Sequence, residues 1–312
     1  MNGLDLREAD KLEVTILVDN YTDLLILQST EVVKRHGFPP PQDPHAEHGF
    51  SCLLKVFAGS EQHVVLIDAG LGTRALFHNA TLLQIDLGQV EAIVLSHGHF
   101  DHFGALGEFL YRAAPGTPLY LHPEAFLERQ LNIPGVGHLT PMPQLREAVL
   151  KAAGASIRKA KGASALASNL VLATGEVNRL TPFEKGFPWA EAKIDGEWIV
   201  DPFHDDQGVV VKLKDKGLVV IGGCSHAGII NTVKQAQVAT GSEAVHAVLG
   251  GFHLTGPLYD AVIMPTIEEM KKFNPMYVIP MHCTGWKAIN LFAKEMPAQF
   301  ILNTVGTSYI FQ

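Results

Sequence analysis

Short apolar runs closed by turn residues recur along the chain. Residues 12–18, 52–57 and 63–67 are rich in β-branched and aromatic side chains and end on Asn, Asp or Gly, so each predicts a strand. Residues 92–95 form another apolar run, and 103–110 then carry apolar residues at helical spacing. The stretch between them therefore lies on a strand-to-helix turn. The second half repeats this logic, with predicted strands at 209–213, 218–221, 245–249 and 276–279 and predicted helices at about 229–239 and 267–273. Strands alternate with helices, yet adjacent strands also occur, so two sheets sandwiched between helices fit better than one doubly wound sheet.

Between about 123 and 190 the pattern loosens. Pro134, Gly135, Gly137, Pro141 and Pro143 interrupt it early, and Phe183, Phe187, Pro188 and Trp189 follow. The expectation is one domain over 1–312 with an inserted segment that serves either as a lid over a site or as a homodimer contact. Its aromatic residues, Phe126 among them, with scattered Lys159, Lys161 and Lys185, suit a small substrate that is uncharged or mildly anionic.

Composition narrows the classes. Acidic residues number 32 against 24 Lys plus Arg, so no cationic excess favours nucleic acid or an anionic membrane. The opening residues 1–10 lack the basic-then-apolar layout of a signal peptide, and no apolar run approaches the roughly 20 residues of a spanning helix. Three widely separated cysteines, Cys52, Cys224 and Cys283, argue against a disulfide framework and suit a reducing, cytoplasmic setting. Fifteen histidines, several beside glycines at the ends of apolar runs, point toward metal.

The chemistry concentrates in His97-Gly98-His99-Phe100-Asp101-His102. In an extended segment His97 and His99 project to one side, and the turn into the next helix brings Asp101 and His102 to a neighbouring position. Each pair can serve one ion, so two divalent transition-metal ions are expected; zinc leads, and manganese or iron also suit imidazole and carboxylate. Asp101 would both ligate a metal and transfer a proton beside it. No Gly-x-Ser-x-Gly elbow offers a competing nucleophile.

The run resembles the signature of the metallo-β-lactamase superfamily, which implies a four-layer αββα sandwich with metals at one edge. Asp68 in Asp68-Ala69-Gly70 resembles its first motif, an aspartate that supports the metals. Further stretches, Leu17-Val18-Asp19-Asn20, Glu47-His48-Gly49-Phe50-Ser51, Gly223-Cys224-Ser225-His226-Ala227-Gly228, Gly250-Gly251-Phe252-His253-Leu254 and His282-Cys283-Thr284-Gly285, resemble one branch. That branch is named for 7,8-dihydropterin-6-yl-methyl-4-(β-D-ribofuranosyl)aminobenzene 5′-phosphate synthase. His282 matches the last ligand position. Where most relatives carry a bridging aspartate this chain has Cys224 and His226; His226 is the favoured ligand, with Cys224 either a thiolate ligand or a packed core residue. His204 or Asp205 could supply a middle ligand, and His253 or His48 could touch substrate or orient a ligand.

The main functional expectation is a hydrolase of a small ester, lactone or phosphodiester acting through a metal-bound hydroxide. Two others stand beside it: a synthase or transferase of pterin-type cofactor biosynthesis, and a metal-dependent redox or binding protein.

Overall fold

Alternation builds the first sheet. In Lys11–Val18 the residues Leu12, Val14 and Ile16 are buried while Lys11, Glu13 and Thr15 reach outward, the period-two pattern of a strand with one covered face. Gly217–Gly222 is instead buried along its whole length, as a strand covered on both faces must be. The structure, a computed structural model, describes residues 4–312; Met1 to Gly3, the first part of the stretch weighed as a signal peptide, lie outside the described residues.

One sheet has eight strands, in the order Ser156–Lys159, Pro118–Leu121, Ala92–Val94, Glu61–Ile67, Ser51–Ala58, Lys11–Val18, Ser308–Phe311 and Val33–Lys34. The other has seven: Ser164–Leu166, Val171–Ala173, Val209–Leu213, Gly217–Gly222, Val245–Gly251 and Tyr277–Met281 in that order, with Glu8–Ala9 paired to Val209–Leu213. Three apolar zones separate the layers. Val14, Ile16 and Leu54 meet Val219, Ile221 and Leu249 between the sheets. Leu76, Leu106 and Phe109 of the helices Thr73–Leu82 and Leu106–Arg112 pack on the outer face of the eight-stranded sheet. Val233, Ile267 and Phe292 of the helices Ile229–Thr240, Asp260–Phe273 and Trp286–Glu295 cover the other sheet. The architecture is the expected four-layer αββα sandwich.

Local differences have local causes. The single helix expected over 103–110 is two, Phe100–Phe103 and Leu106–Arg112. The backbone at Gly104 lies so close to Leu71 O that a Cβ there would come within 1.8 Å of it. The last-but-one helix begins at Asp260, seven residues before the expected 267, and carries Pro265 within it. Residues 123–190 supply strands to all three sheets: Ser156–Lys159 to the first, Ser164–Leu166 and Val171–Ala173 to the second, and Arg129–Leu131 and Thr140–Pro141 to a small third sheet with Ala190–Ile194 and Glu197–Val200.

The site follows from strand direction. Glu61–Ile67 runs parallel to Ala92–Val94, and Gly217–Gly222, Val245–Gly251 and Tyr277–Met281 run parallel to one another. Parallel strands end on the same side, so the loops after them gather at one edge of the sandwich, where α/β sheets place their ligands. Among the described residues no helix is long and apolar enough to cross a membrane.

Candidate metal centre

Asp68, in the left-handed region at φ 55° directly after Glu61–Ile67, turns its carboxylate under the histidine run. One oxygen accepts from Ser96 N at 2.7 Å and the other from Ser96 Oγ at 2.7 Å and His102 Nδ1 at 2.6 Å. The Nδ1 proton is thereby fixed, and the lone pair of His102 Nε2 faces the edge. The run is anchored from below as well. Gly98 N donates to Asp205 Oδ2 at 2.8 Å, and the buried Arg129 spans Asp205 and Asp201 at 2.9 and 2.7 Å. A Cβ on Gly98 would approach Ala125 O to 2.1 Å, so only glycine lets the turn lie against this support.

From the other sheet, the loop between Gly217–Gly222 and Ile229–Thr240 brings up Cys224 and His226, and His282 follows Tyr277–Met281 at φ 53°. His282 N donates to Asp19 Oδ1 at 2.8 Å, and its Nδ1 meets Asn20 Oδ1 at 3.1 Å.

All six residues expected to ligate metal are buried and converge, in two groups. His97, His99 and His226 form one; Asp101, His102, Cys224 and His282 form the other, with ligand atoms in each group within 4.8 Å of one another. In the first, His226 Nε2 lies 3.1 Å from His99 Nδ1, and His97 Nε2 is buried without a partner. In the second, Cys224 Sγ lies 3.1 Å from His102 Nε2 and 3.3 Å from His282 Nε2, which is itself 3.4 Å from Asp101 Oδ2. Cys224 therefore lies in the site beside His226, each in a different one of these two groups.

Of the residues left open, His204 stands aside, half exposed and bonded to Glu124 at 3.0 Å. Asp205 supports the histidine turn from beneath. His48 is exposed and places Nε2 3.4 Å from Asp101 Oδ2, at the rim. His253 packs its ring 4.2 Å from that of His226 and shares a third, overlapping group with Cys224 and His226. Two contributors were invisible in the sequence. Arg129 reads there as an ordinary surface cation, and Phe203 as one aromatic among many, yet Phe203 stacks on His226 at 4.2 Å and 14°.

The electrostatics suit cations. Burial first, then the neighbouring imidazoles, hold His97 and His226 well below the usual histidine range, and burial with Arg129 takes His99 down to about 3. These rings are neutral, the form that ligates. Burial alone would raise the Asp101 carboxyl, but His102 and His282 hold it well below the carboxylate range. Burial lowers His282, yet Cys283 and Asp101 prevail and carry it up to about 10. The unpartnered His97 nitrogen, the facing nitrogens of His99 and His226, and a thiol beside two imidazoles and a carboxylate fit metal ions in both groups: three nitrogens in one, nitrogen, oxygen and sulfur in the other.

Fold and site together are those of the metallo-β-lactamase superfamily, whose family model matches residues 51–146, and the chain belongs to it. The 7,8-dihydropterin-6-methyl-4-(beta-D-ribofuranosyl)-aminobenzene-5'-phosphate synthase of Methanocaldococcus jannaschii is 29% identical over 261 residues, 82% of this chain and 87% of that protein. An uncharacterized protein of the same organism is 30% identical over 78% of this chain and 86% of its own length. Among solved structures, Tm1679, described as a metal-dependent hydrolase of the beta-lactamase superfamily, superposes with a TM-score of 0.73 at 25% identity, covering 95% of this chain and 98% of that one. These matches correct the main functional expectation. A relative matched over most of both chains is a synthase, so the hydrolase reading gives way to the synthase reading weighed beside it. The hydrolase expectation rests on metal-bound hydroxide at the ligand run and on the lack of a serine elbow, and the same ligands serve different reactions across one fold.

Proposed function

We propose that the chain is a metal-dependent synthase of pterin-type cofactor biosynthesis, joining a 7,8-dihydropterin-6-methyl unit to a ribofuranosyl-aminobenzene 5′-phosphate. The observation that carries this reading is the synthase match over 82% of the chain and 87% of that relative. His97, His99 and His226 would hold one divalent transition-metal ion, and Asp101, His102, Cys224 and His282 a second, with zinc the leading candidate and manganese or iron the others. When bound, two such ions supply positive charge where negative charge develops on a departing group.

The chain's own residues would do the rest. Asp68 fixes the His102 tautomer, and Asp205 with Arg129 keeps the histidine turn rigid. The ionised Asp101 lies at the rim with the exposed His48 beside it, where His48 can take up a proton. Residues 183–189, which the loosened stretch contains, lie over the His253 side of the site, and Phe187 rests 5.2 Å from the His253 ring; this part of the segment acts as the cover. A cytoplasmic location belongs to the same proposal, supported by three buried free thiols.

The test is reconstitution with zinc, manganese or iron, followed by incubation with 4-(β-D-ribofuranosyl)aminobenzene 5′-phosphate and a 7,8-dihydropterin bearing a leaving group on its 6-methyl carbon. Mass spectrometry should find the condensed product, and a chelator should abolish it. Absence of product with every metal, while both ligand groups are loaded, would sink the reading.

A further inference from the structure

Beside the metal groups lies a cavity of about 210 Å³. It opens against His226 and Ser225 and is walled by Phe183, Phe252, Leu254, Leu258, Tyr259 and Val262. His253 stands between this cavity and the ligands. Its φ of 43° is unusual for a side-chain-bearing residue, and its Nδ1 is buried with no partner. The ring is held in place by neighbours: Tyr259 meets it edge-on at 5.1 Å, and Phe187 lies 5.2 Å away. The His253 ring thus forms a fixed wall between the ligand residues and an aromatic-lined space of the kind that holds small molecules.

The chemistry of the walls selects the ligand. Lys185, at the exposed mouth, is the only cation among the lining residues. The N-terminus of the helix Ile229–Thr240 would be the natural seat for an anion. Glu184 already fills it, accepting from Ile230 N at 2.8 Å and Asn231 N at 2.9 Å. A phosphate would meet that carboxyl group instead of free donors. An uncharged flat ring, by contrast, can stack on the aromatic walls.

We propose that this cavity binds the dihydropterin half of the substrate pair, with the His253 ring as its wall on the metal side. The inference rests on the synthase reading above. The aminobenzene half carries the ribosyl phosphate and is excluded by the same walls, so it must approach the metal groups from another side.

The test uses metal-loaded protein and 6-hydroxymethylpterin as a fluorescent probe, with ribose 5-phosphate as competitor. Leu258→Trp fills the cavity from its partly exposed rim, and His253→Gln removes the ring wall; circular dichroism and metal content are recorded for both. The expected result is saturable pterin binding to the unmodified protein, unaffected by ribose 5-phosphate and weakened at least tenfold in each folded variant, with metal content unchanged. Pterin binding and product formation that both survive in the two variants would overturn the cavity assignment and leave the synthase reading standing. Loss of metal from His253→Gln would make His253 a ligand and overturn its proposed role. Displacement of pterin by ribose 5-phosphate would assign the cavity to the phosphorylated half, overturning the inference. No pterin binding and no product from the unmodified protein would bring down the synthase reading and this inference together.

Discussion

Cys224 and His226 stand two residues apart and fall in different ones of the two main groups, the Asp101 and the His97 group, because of the residue between them. In an extended segment they would share a face. Ser225 is in the left-handed region at φ 57° and bonds its Oγ to Gly251 O at 2.8 Å, which swings His226 toward His97 and His99 and leaves Cys224 beside His102 and His282. Cys224→Ser should therefore remove the ion of the Asp101 group and His226→Ala that of the His97 group, each leaving about one equivalent by elemental analysis, since a serine hydroxyl is a poor substitute for a thiolate. His204→Ala, which touches neither group, should keep both. Arg129 makes a second test at this scale. Arg129→Met leaves Asp201 and Asp205 buried without their cation, a loss of about 3–5 kcal/mol for a broken buried pair. Denaturant unfolding should register that loss, and an unchanged midpoint would show that the two carboxylates find other partners.

At the scale of elements, the helix Ile229–Thr240 begins at Gly228, whose φ of 102° and whose contact with Glu184 exclude a side chain. Glu184 replaces the usual capping residue from far back in the chain, 46 and 47 positions before Ile230 and Asn231, accepting from two of the first N–H groups. Burial outweighs those donors and pushes its carboxyl up to about 7. The native state then holds a proton that the unfolded chain, at the ordinary glutamate value near 4.5, has released. This contribution to stability is complete below about pH 4.5 and is lost as the pH rises through 7. Denaturant titrations from pH 4.5 to 7.5 should show that decline, and Glu184→Gln should flatten it. Equal slopes in the two proteins would mean that Glu184 is ionised in the fold throughout. The strand and helix pattern of both halves was legible because each element covers one or two apolar faces. The Glu184 cap was not, since nothing local marks a glutamate as the cap of a distant helix.

For the whole molecule, three apolar zones hold four layers together, and they draw on residues that lie outside the ligand groups. The metals should therefore stabilise a fold that already exists, unlike the ion of a zinc finger. Stripping the protein with chelator should leave its far-ultraviolet circular dichroism native-like. It should also lower the unfolding free energy by the linkage term, about 4 kcal/mol for a site saturated a thousandfold over its dissociation constant. Loss of the dichroism signal on stripping would show that the ligand loops are part of the folding unit.

The sequence by itself determined the alternation of strands and helices, the placing of His97, His99, Asp101 and His102 on one strand-to-helix turn, and the later candidates, Cys224, His226 and His282 among them, from which the rest of the two groups is drawn. These are properties of neighbours in the chain, and hydrophobic periodicity with turn chemistry reports them directly. Tertiary structure alone decided that His226 and not His204 completes the first group, that Cys224 belongs to the second, and that Asp205 supports the turn through Arg129 from 107 positions beyond Gly98. The reason is geometric. Ligation needs lone pairs converging on one point, and these come from loops at the ends of parallel strands in two separate sheets. Their mutual distance is set by how the sheets pack face to face, and periodicity along either strand tells which face is buried without telling what lies across from it.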